Sequence, residues 1–212
     1  MVLDKKAFTK AVETCLNEGK GKRKFSQSVD LAVNFRQVDF TKQDNRLNVE
    51  MLLPKAPKQV KVAIFADGDL AYNAKKVADR VIGASELDEI AKDKKKTKTL
   101  ADEFVFLSDP KLMAAVGKGL GKIFGAKGKL PKPILPGANL ADAVDRARRT
   151  VTIKTKGKAL PVVHCIVGKE SMPAEDIVEN IMVVMEALTK KLSESQIADV
   201  YVKTTMGKPV KV

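Results

Sequence analysis

The sequence has little of the material from which catalytic and metal sites are built. Its 212 residues include one histidine, His164, and two cysteines, Cys15 and Cys165, which stand far apart and outside any CxxC pattern. These three residues cannot complete a zinc site, so we expect both cysteines to be reduced and buried. We expect His164, inside the apolar run LPVVHCIVG, to be a buried structural histidine, because no serine or acid accompanies it. We therefore predict no catalytic residue, no metal site and no cofactor.

Long apolar runs are also absent. No stretch approaches the roughly 18 residues that a membrane-spanning helix needs. The first ten residues, MVLDKKAFTK, carry charges where a secretory signal would need an apolar core. We therefore expect a cytoplasmic protein that does not insert into a membrane.

Acidic residues are too few to balance the basic ones. The chain has 39 lysines and arginines against 26 aspartates and glutamates, a formal net charge of +13 at pH 7. Because contacts to phosphates release counterions and steer association, this charge favours a polyanionic partner over a neutral metabolite. Nucleic acid is the partner class that the composition predicts.

The stretch from Lys111 to Ala141 concentrates this charge, since it contains no acidic residue and mixes lysines with glycines. Its glycine spacing fits neither the Walker A loop nor the dinucleotide-binding fingerprint, because Phe124 stands where each motif requires glycine. What remains is a run of backbone amides and lysines suited to nonspecific contact with phosphates. The alternative interpretation is a solvated loop.

The two ends of the chain share one pattern of strands and amphipathic helices, and the middle has another. The ends predict helices over 4–16 and 173–192 and strands over 29–35, 47–53, 150–155, 160–168 and 198–205. The middle predicts strands over 60–66, 81–84 and 103–109 and helices over 70–80, 86–93, 112–118 and 139–149, with Asp69 capping the first helix. We therefore predict an α+β domain made of residues 1–56 and 150–212, with an α/β domain, residues 57–149, inserted between its halves.

The end of the last predicted strand carries the sharpest binding signal. The segment from Tyr201 to Gly207 ends in two threonines, Met206 and a glycine. The threonines offer hydrogen bonds to ribose or phosphate, the thioether offers a soft contact to a base, and the glycine lets an RNA backbone approach. Lys24 and Phe25, a cation beside an aromatic ring, are expected at the same edge. These residues predict an RNA-binding platform, and the alternative is an ordinary strand end.

Five segments resemble the family of ribosomal protein L-one in its archaeal form, the protein of the mobile stalk at the tRNA exit site. They are KFSQSVDLAVNF (24–35), DNRLNVEMLLP (44–54), LMAAVGKGLGKIFGAKGKLPKP (112–133), VGKESMPAEDIVENI (167–181) and VYVKTTMG (200–207). The resemblance covers nearly the whole chain. It implies a split α+β domain that holds both termini and an inserted three-layer, Rossmann-like α/β domain, joined by a hinge of two strands.

The same resemblance implies that the protein binds large-subunit rRNA in the large ribosomal subunit and represses translation by binding its own operon mRNA. The implied rRNA and mRNA contacts are Lys24, Phe25, Ser28, Asp30, Lys156, Lys158, Thr205, Met206 and Gly207. A secondary basic patch, implied to touch exit-site tRNA or other RNA, comprises Lys118, Lys122, Lys127 and Lys129. Phe25 would pack on a nucleotide, and Asp30 would accept a hydrogen bond from a ribose hydroxyl or hold a lysine. The implied protein is no enzyme, is a monomer when free and acts on cytoplasmic ribosomes.

A second hypothesis belongs to a different class. The α/β pattern of the middle section also suits a nucleotide-dependent enzyme or regulator. The missing phosphate-binding motif is the main objection to this alternative.

Overall fold

The computed structural model describes residues 4–19, 21, 23–42, 45–135, 137, 139–155 and 160–212. The chain divides into two compact units, unit 1 (Met1–Lys58 with Arg149–Val212) and unit 2 (Gln59–Arg148). The predicted fold class is confirmed, since a mixed α+β unit carries both termini and an α/β unit is inserted into it.

The helices and strands follow in chain order. They are α1 (Lys5–Gly19), β1 (Ser28–Phe35), β2 (Asn48–Leu52), β3 (Lys61–Phe65), α2 (Gly68–Ala74), β4 (Arg80–Ile82), α3 (Ala84–Lys92), α4 (Lys94–Glu103), β5 (Phe104–Ser108), α5 (Pro110–Ala126), β6 (Lys132–Pro133), α6 (Leu140–Arg149), β7 (Thr150–Lys154), β8 (Val162–Lys169), α7 (Ala174–Thr189), β9 (Ile197–Thr204) and β10 (Val210–Lys211).

Unit 1 is built on a four-stranded antiparallel sheet in the order β10-β9-β1-β8. Alternate residues of β1, beginning with Val29 and Leu31, are fully buried, as the period of two in the sequence predicts. They share one core with the apolar stripes of α1 and α7, including Phe8 and Ile181. The opposite face of β1, which includes Asp30, stays partly exposed and available for other contacts.

A second, two-stranded antiparallel sheet pairs β2 with β7 in unit 1. The segment after β2 is held by Asn180, a fully buried residue of α7. Its side-chain amide accepts a hydrogen bond from the Lys55 N–H at 3.1 Å and donates to the Val167 carbonyl at 2.8 Å. Both sides of the amide are therefore satisfied, which a buried polar side chain requires.

Unit 2 has a parallel sheet in the order β4-β3-β5-β6 with helices on both faces. Ala63 and Phe65 of β3 pack into a core with residues of α3, α4 and α5. Val62 and Ile64, which point to the opposite face, pack into a second core with residues of α2 and α6. Because β3 is buried on both faces, its sequence is a continuous apolar run, as expected for a parallel strand.

The glycine-rich basic stretch is largely helical, which corrects the expectation of free backbone amides. Residues 110–126 form α5, and Val116, Leu120 and Phe124 repeat every four residues and are buried. The Phe124 ring stacks on Phe106 with ring centroids 4.3 Å apart. The apolar stripe stabilises a helix despite its glycines, and most of the amides are used inside it.

Three further sequence expectations were wrong. The helix predicted over 70–80 ends at Ala74, and Asp69 lies in its first turn while Asp67 is the N-terminal flanking residue. Helix α4 was missed because lysines crowd its first turn, although Thr97 and Leu100 face the core. His164 is exposed, because the residues of β8 that alternate with it face the core while it faces the uncovered side.

The expectation for the cysteines is confirmed. Cys15 and Cys165 are both free and buried. Burial raises the pKa of the Cys165 thiol to about 12. This thiol therefore stays protonated at neutral pH, and it lacks the thiolate character that reactive cysteines need.

We predict that Gly117→Ala stabilises unit 2 by about 0.5–1 kcal/mol, because alanine loses less conformational freedom in a helix than glycine. A Cβ at Gly117 would meet no atom within 4 Å. The matched control is Gly119→Ala, whose Cβ would lie 3.3 Å from the Ala91 Cβ, so its gain should be smaller or reversed. Urea denaturation measures the free energy of unfolding of both variants. A loss of stability in Gly117→Ala would contradict this account of α5.

Candidate nucleic-acid interface

Two groups of predicted RNA-binding residues, those around Ser28 and those around Thr205, meet because β1 and β9 pair antiparallel. The register places Val29 opposite Thr204, so the start of β1 and the end of β9 share one edge of the sheet. The segment before Ser28 and the turn after Thr204 therefore emerge side by side, although they are far apart in sequence.

Hydrogen bonds between Thr205 and the Ser28 backbone hold the two strand ends together at this edge. The Thr205 N–H donates to the Ser28 carbonyl at 3.0 Å, and the Ser28 N–H donates to the Thr205 hydroxyl oxygen at 3.1 Å. The Thr205 hydroxyl lies 3.3 Å from the same Ser28 carbonyl and can donate to it. Its hydrogen bonds within the protein give Thr205 a positioning role at the surface.

Gln27 joins four segments at this edge and is only 1% exposed. Its side-chain amide donates to the Gly19 carbonyl, at the end of α1, at 2.8 Å. The side-chain oxygen accepts from the Met206 N–H at 3.0 Å, and the backbone carbonyl accepts from the Glu170 N–H at 2.9 Å. Gln27 therefore sets the position of the Met206 backbone without facing solvent. No sequence pattern distinguishes a loop glutamine with this role.

Thr204 lies beneath the turn that follows β9, and its position explains why residues 19 and 207 are glycines. Its side chain is fully buried, so the expectation that it contacts RNA is wrong. A Cβ on Gly19 would lie 2.7 Å from the Thr204 hydroxyl oxygen, and a Cβ on Gly207 would overlap the same atom. Both glycines therefore allow α1 and the turn after β9 to close over Thr204.

Two large apolar side chains remain exposed at this edge, Phe25 at 51% and Met206 at 57%. Met206 also lines a pocket of about 180 Å³, together with residues that include Glu18, Arg23 and Gln27. Lys24, which directly precedes Phe25, is exposed, and Ser28 begins β1 three residues after Phe25. We call the surface formed by residues 23–28 and 205–207, in which Phe25 and Met206 are exposed and Gln27 is buried, the Phe25–Met206 surface.

Asp30 lies one step along β1, on the uncovered face of the sheet, opposite Lys203 on β9 and Ile166 on β8. Partial burial raises the pKa of the Asp30 carboxyl above its usual value, and the positive charge of Lys203 and the nearby His164 oppose that shift. The resemblance implies that Asp30 either accepts a hydrogen bond from a ribose hydroxyl or holds a lysine. The position of Lys203 opposite Asp30 favours the second role.

The four lysines of the predicted secondary patch lie in different surroundings. Lys118 and Lys122 are exposed on α5. Lys127 donates a hydrogen bond to the Asp102 carboxylate within an ion pair, and this bond lowers the pKa of Asp102. Lys127 also donates to the Lys98 carbonyl at 3.1 Å. Lys129 donates to the Asp102 carbonyl at 3.0 Å. Lys127 and Lys129 therefore tie α5 and the segment after it to the end of α4.

Two predicted contacts, Lys156 and Lys158, lie outside the described residues. Within the described ranges, the histidines, cysteines and acids form no group of three or more that could hold a metal ion. In the same ranges, no helix combines the length and apolarity that crossing a bilayer requires.

The class of protein that this surface fits is a nucleic-acid-binding protein, because an exposed aromatic and a thioether stand beside cations on a strongly basic chain. The profile described as "Ribosomal protein L1p/L10e family" matches residues 12–208. The chain belongs to this family.

Curated archaeal relatives match this sequence over more than nine tenths of their own length. The "Large ribosomal subunit protein uL1" of Thermofilum pendens is 42% identical over 97% of this chain and 92% of its own. Proteins of the same name from Thermoplasma volcanium and Archaeoglobus fulgidus are each 39% identical, over 99% and 100% of this chain and 97% and 100% of their own. The chain is therefore similar to ribosomal proteins from end to end.

We predict that Gly207→Ala destabilises unit 1 by about 1–3 kcal/mol, because the added methyl group would overlap the buried Thr204 hydroxyl. Removing that hydroxyl and its neighbouring methyl in Gly207→Ala/Thr204→Ala should recover part of the loss, measured against Thr204→Ala alone in urea denaturation. Equal effects of Gly207→Ala in both backgrounds would show that the overlap does not shape the turn.

Proposed function

We propose that this protein is a component of the large ribosomal subunit that binds large-subunit rRNA through the Phe25–Met206 surface. Family membership over residues 12–208 supports the class of partner. The observation that carries the proposal is the pair of exposed apolar side chains, Phe25 and Met206, on a rigidly hydrogen-bonded edge. Single exposed apolar side chains are common on proteins, so the proposal rests on Phe25 and Met206 lying at the same edge of the sheet, beside the cation of Lys24.

The proposed mechanism uses shape and stacking. Phe25 packs on a nucleotide whose base is unstacked, and Met206 lies against a neighbouring sugar or base. Gly207 leaves room for the RNA backbone, and Lys24 contacts phosphate. Ser28 and Thr205 hold the strand ends in place, and Asp30 orients Lys203 or accepts from a ribose hydroxyl. The proposal also assigns Lys156 and Lys158 to phosphate contacts.

A translational role follows from the same surface. We propose that the protein's own operon mRNA carries a similar RNA shape and competes for the Phe25–Met206 surface, so that unassembled protein represses its translation. One surface cannot hold both RNAs at once, so free rRNA relieves the repression by mass action. The free protein is proposed to be a cytoplasmic monomer.

A separate contact is proposed for unit 2. The exposed lysines of α5, Lys118 and Lys122, contact exit-site tRNA or neighbouring RNA as part of a mobile stalk. Lys127 and Lys129 contribute positive potential to this contact while remaining bonded to the end of α4. Such a patch gives weak, salt-sensitive binding suited to a tRNA that must leave.

We predict that Phe25→Ala and Met206→Ala each weaken binding to a large-subunit rRNA stalk fragment by about 5- to 150-fold, because each removes a stacking or packing contact of roughly 1–3 kcal/mol. The matched controls are Tyr72→Ala and Met113→Ala, which remove an exposed aromatic and an exposed methionine from unit 2. Fluorescence anisotropy at moderate salt measures the dissociation constants.

The dissociation constants of the two control variants for the rRNA fragment should lie within about twofold of the value for the unmodified chain. The same titrations over a range of salt give the number of phosphate contacts, and Lys24→Gln should lower the log–log slope by roughly 0.7–0.9. Unchanged binding of Phe25→Ala and Met206→Ala would show that rRNA binds elsewhere.

A further inference from the structure

A pocket in unit 2 has no role in the function proposed above. It has a volume of about 340 Å³ and lies between β4, α3 and α4. Ile90 and Leu100, which are 5% and 7% exposed, contribute its apolar lining. Small-molecule sites combine such an apolar lining with a few polar groups that fix orientation.

Basic side chains line the same pocket. Arg80, Lys95 and Lys96 face it together with Thr99, and Glu103 is the one acid that lines it within the described part of the chain. Arg80 is paired with Glu86, and Lys96 lies 3.9 Å from Asp93. Among the described residues, the Lys95 ammonium makes no hydrogen bond or ion pair with the protein. The pocket therefore joins an apolar lining to cations that the protein only partly neutralises.

The lysines of α4 stand where a helix tolerates them least. Residues 94–96 are all lysines in the first turn, where the helix dipole disfavours positive charge. Asp93 compensates in part, since its carboxylate accepts hydrogen bonds from the Lys95 and Lys96 N–H groups at 2.9 and 3.3 Å. Because these amides are already bonded, a phosphate at this corner would meet the lysine side chains and not the end of the helix.

We propose that this pocket binds one unstacked nucleotide of a single-stranded RNA segment. The base lies against the aliphatic side chains of Ile90 and Leu100, and the phosphates on either side of it contact Lys95 and Lys96. The pocket would recognise a base joined to a phosphate group, and a free mononucleotide has the same two groups. RNA is the favoured source because a chain supplies phosphates on both sides of the base, and the pocket has a cluster of cations at its edge. The site lies wholly in unit 2 and relies on the proposed function only for RNA as the source.

The test uses the full chain with labelled methyl groups and backbone amides, titrated with pentauridylate, uridine monophosphate and inorganic phosphate in separate NMR experiments. We expect pentauridylate to shift the methyl signals of Ile90 and Leu100 at lower concentration than either small ligand. Signals near Phe25 and Met206 report the proposed rRNA surface in the same spectra, so failure of one site is distinguishable from failure of the other.

The variant Lys95→Gln/Lys96→Gln should raise the pocket's dissociation constant for pentauridylate by about tenfold and lower its log–log salt slope by about 1.4, at roughly 0.7 for each single-strand phosphate contact. The control Lys5→Gln/Lys10→Gln removes equal charge from exposed positions of α1. It should leave the dissociation constant for pentauridylate and the salt slope unchanged within experimental error. The proposal is overturned if the Ile90 and Leu100 signals do not respond or if the two variants behave alike. Saturation by the mononucleotide or by phosphate at equal or lower concentration than pentauridylate would also overturn it.

Discussion

The closure of one sheet edge by Gln27 and Thr205 is the constraint on which the proposed RNA surface depends. The antiparallel pairing of β1 with β9 brings residues 28 and 205 together, and the Thr205 hydroxyl completes the pairing by accepting from the Ser28 N–H. Gln27 then links the turn after β9 to the end of α1 and to the turn after β8. Because these bonds join several segments, the backbone of the turn that carries Met206 is held in place before any partner arrives. Preorganisation of this kind lowers the conformational cost of binding.

Glycine has two different functions in this chain, and the structure separates them. Gly19 and Gly207 allow close packing around the buried Thr204, so their small size shapes the surface directly. The glycines of α5 are different, because a Cβ on Gly117 or Gly121 would meet no atom within 4 Å. Helix α5 forms in spite of them, held by its buried apolar stripe. The positive charge of this helix therefore supports the class of partner, while the edge that carries Phe25 and Met206 supports the manner of binding.

Much of the fold could be predicted because alternation and helical spacing reflect burial on one face. The pattern of β1 and the stripe of α7 are clear cases, since every buried position follows a simple period. The candidate surface was reached from Lys24, Phe25 and the residues after β9, whose side chains suit RNA. Gln27 could not be found in this way, because its role arises only when four distant segments meet. His164 was misjudged because a strand's apolar content does not reveal that one face of its sheet stays uncovered. Helix α4 was missed because three consecutive lysines obscure its short apolar stripe.

The most direct test of the central claim is a map of photochemical cross-links between the full chain and a large-subunit rRNA stalk fragment, read by mass spectrometry. The account predicts that the principal cross-links fall on residues 23–28 and 205–207, with Phe25 and Met206 foremost. Cross-links confined to α5, or to the uncovered sheet face around His164 and Tyr201, would contradict it, because the RNA would then bind without the edge that Gln27 and Thr205 hold together.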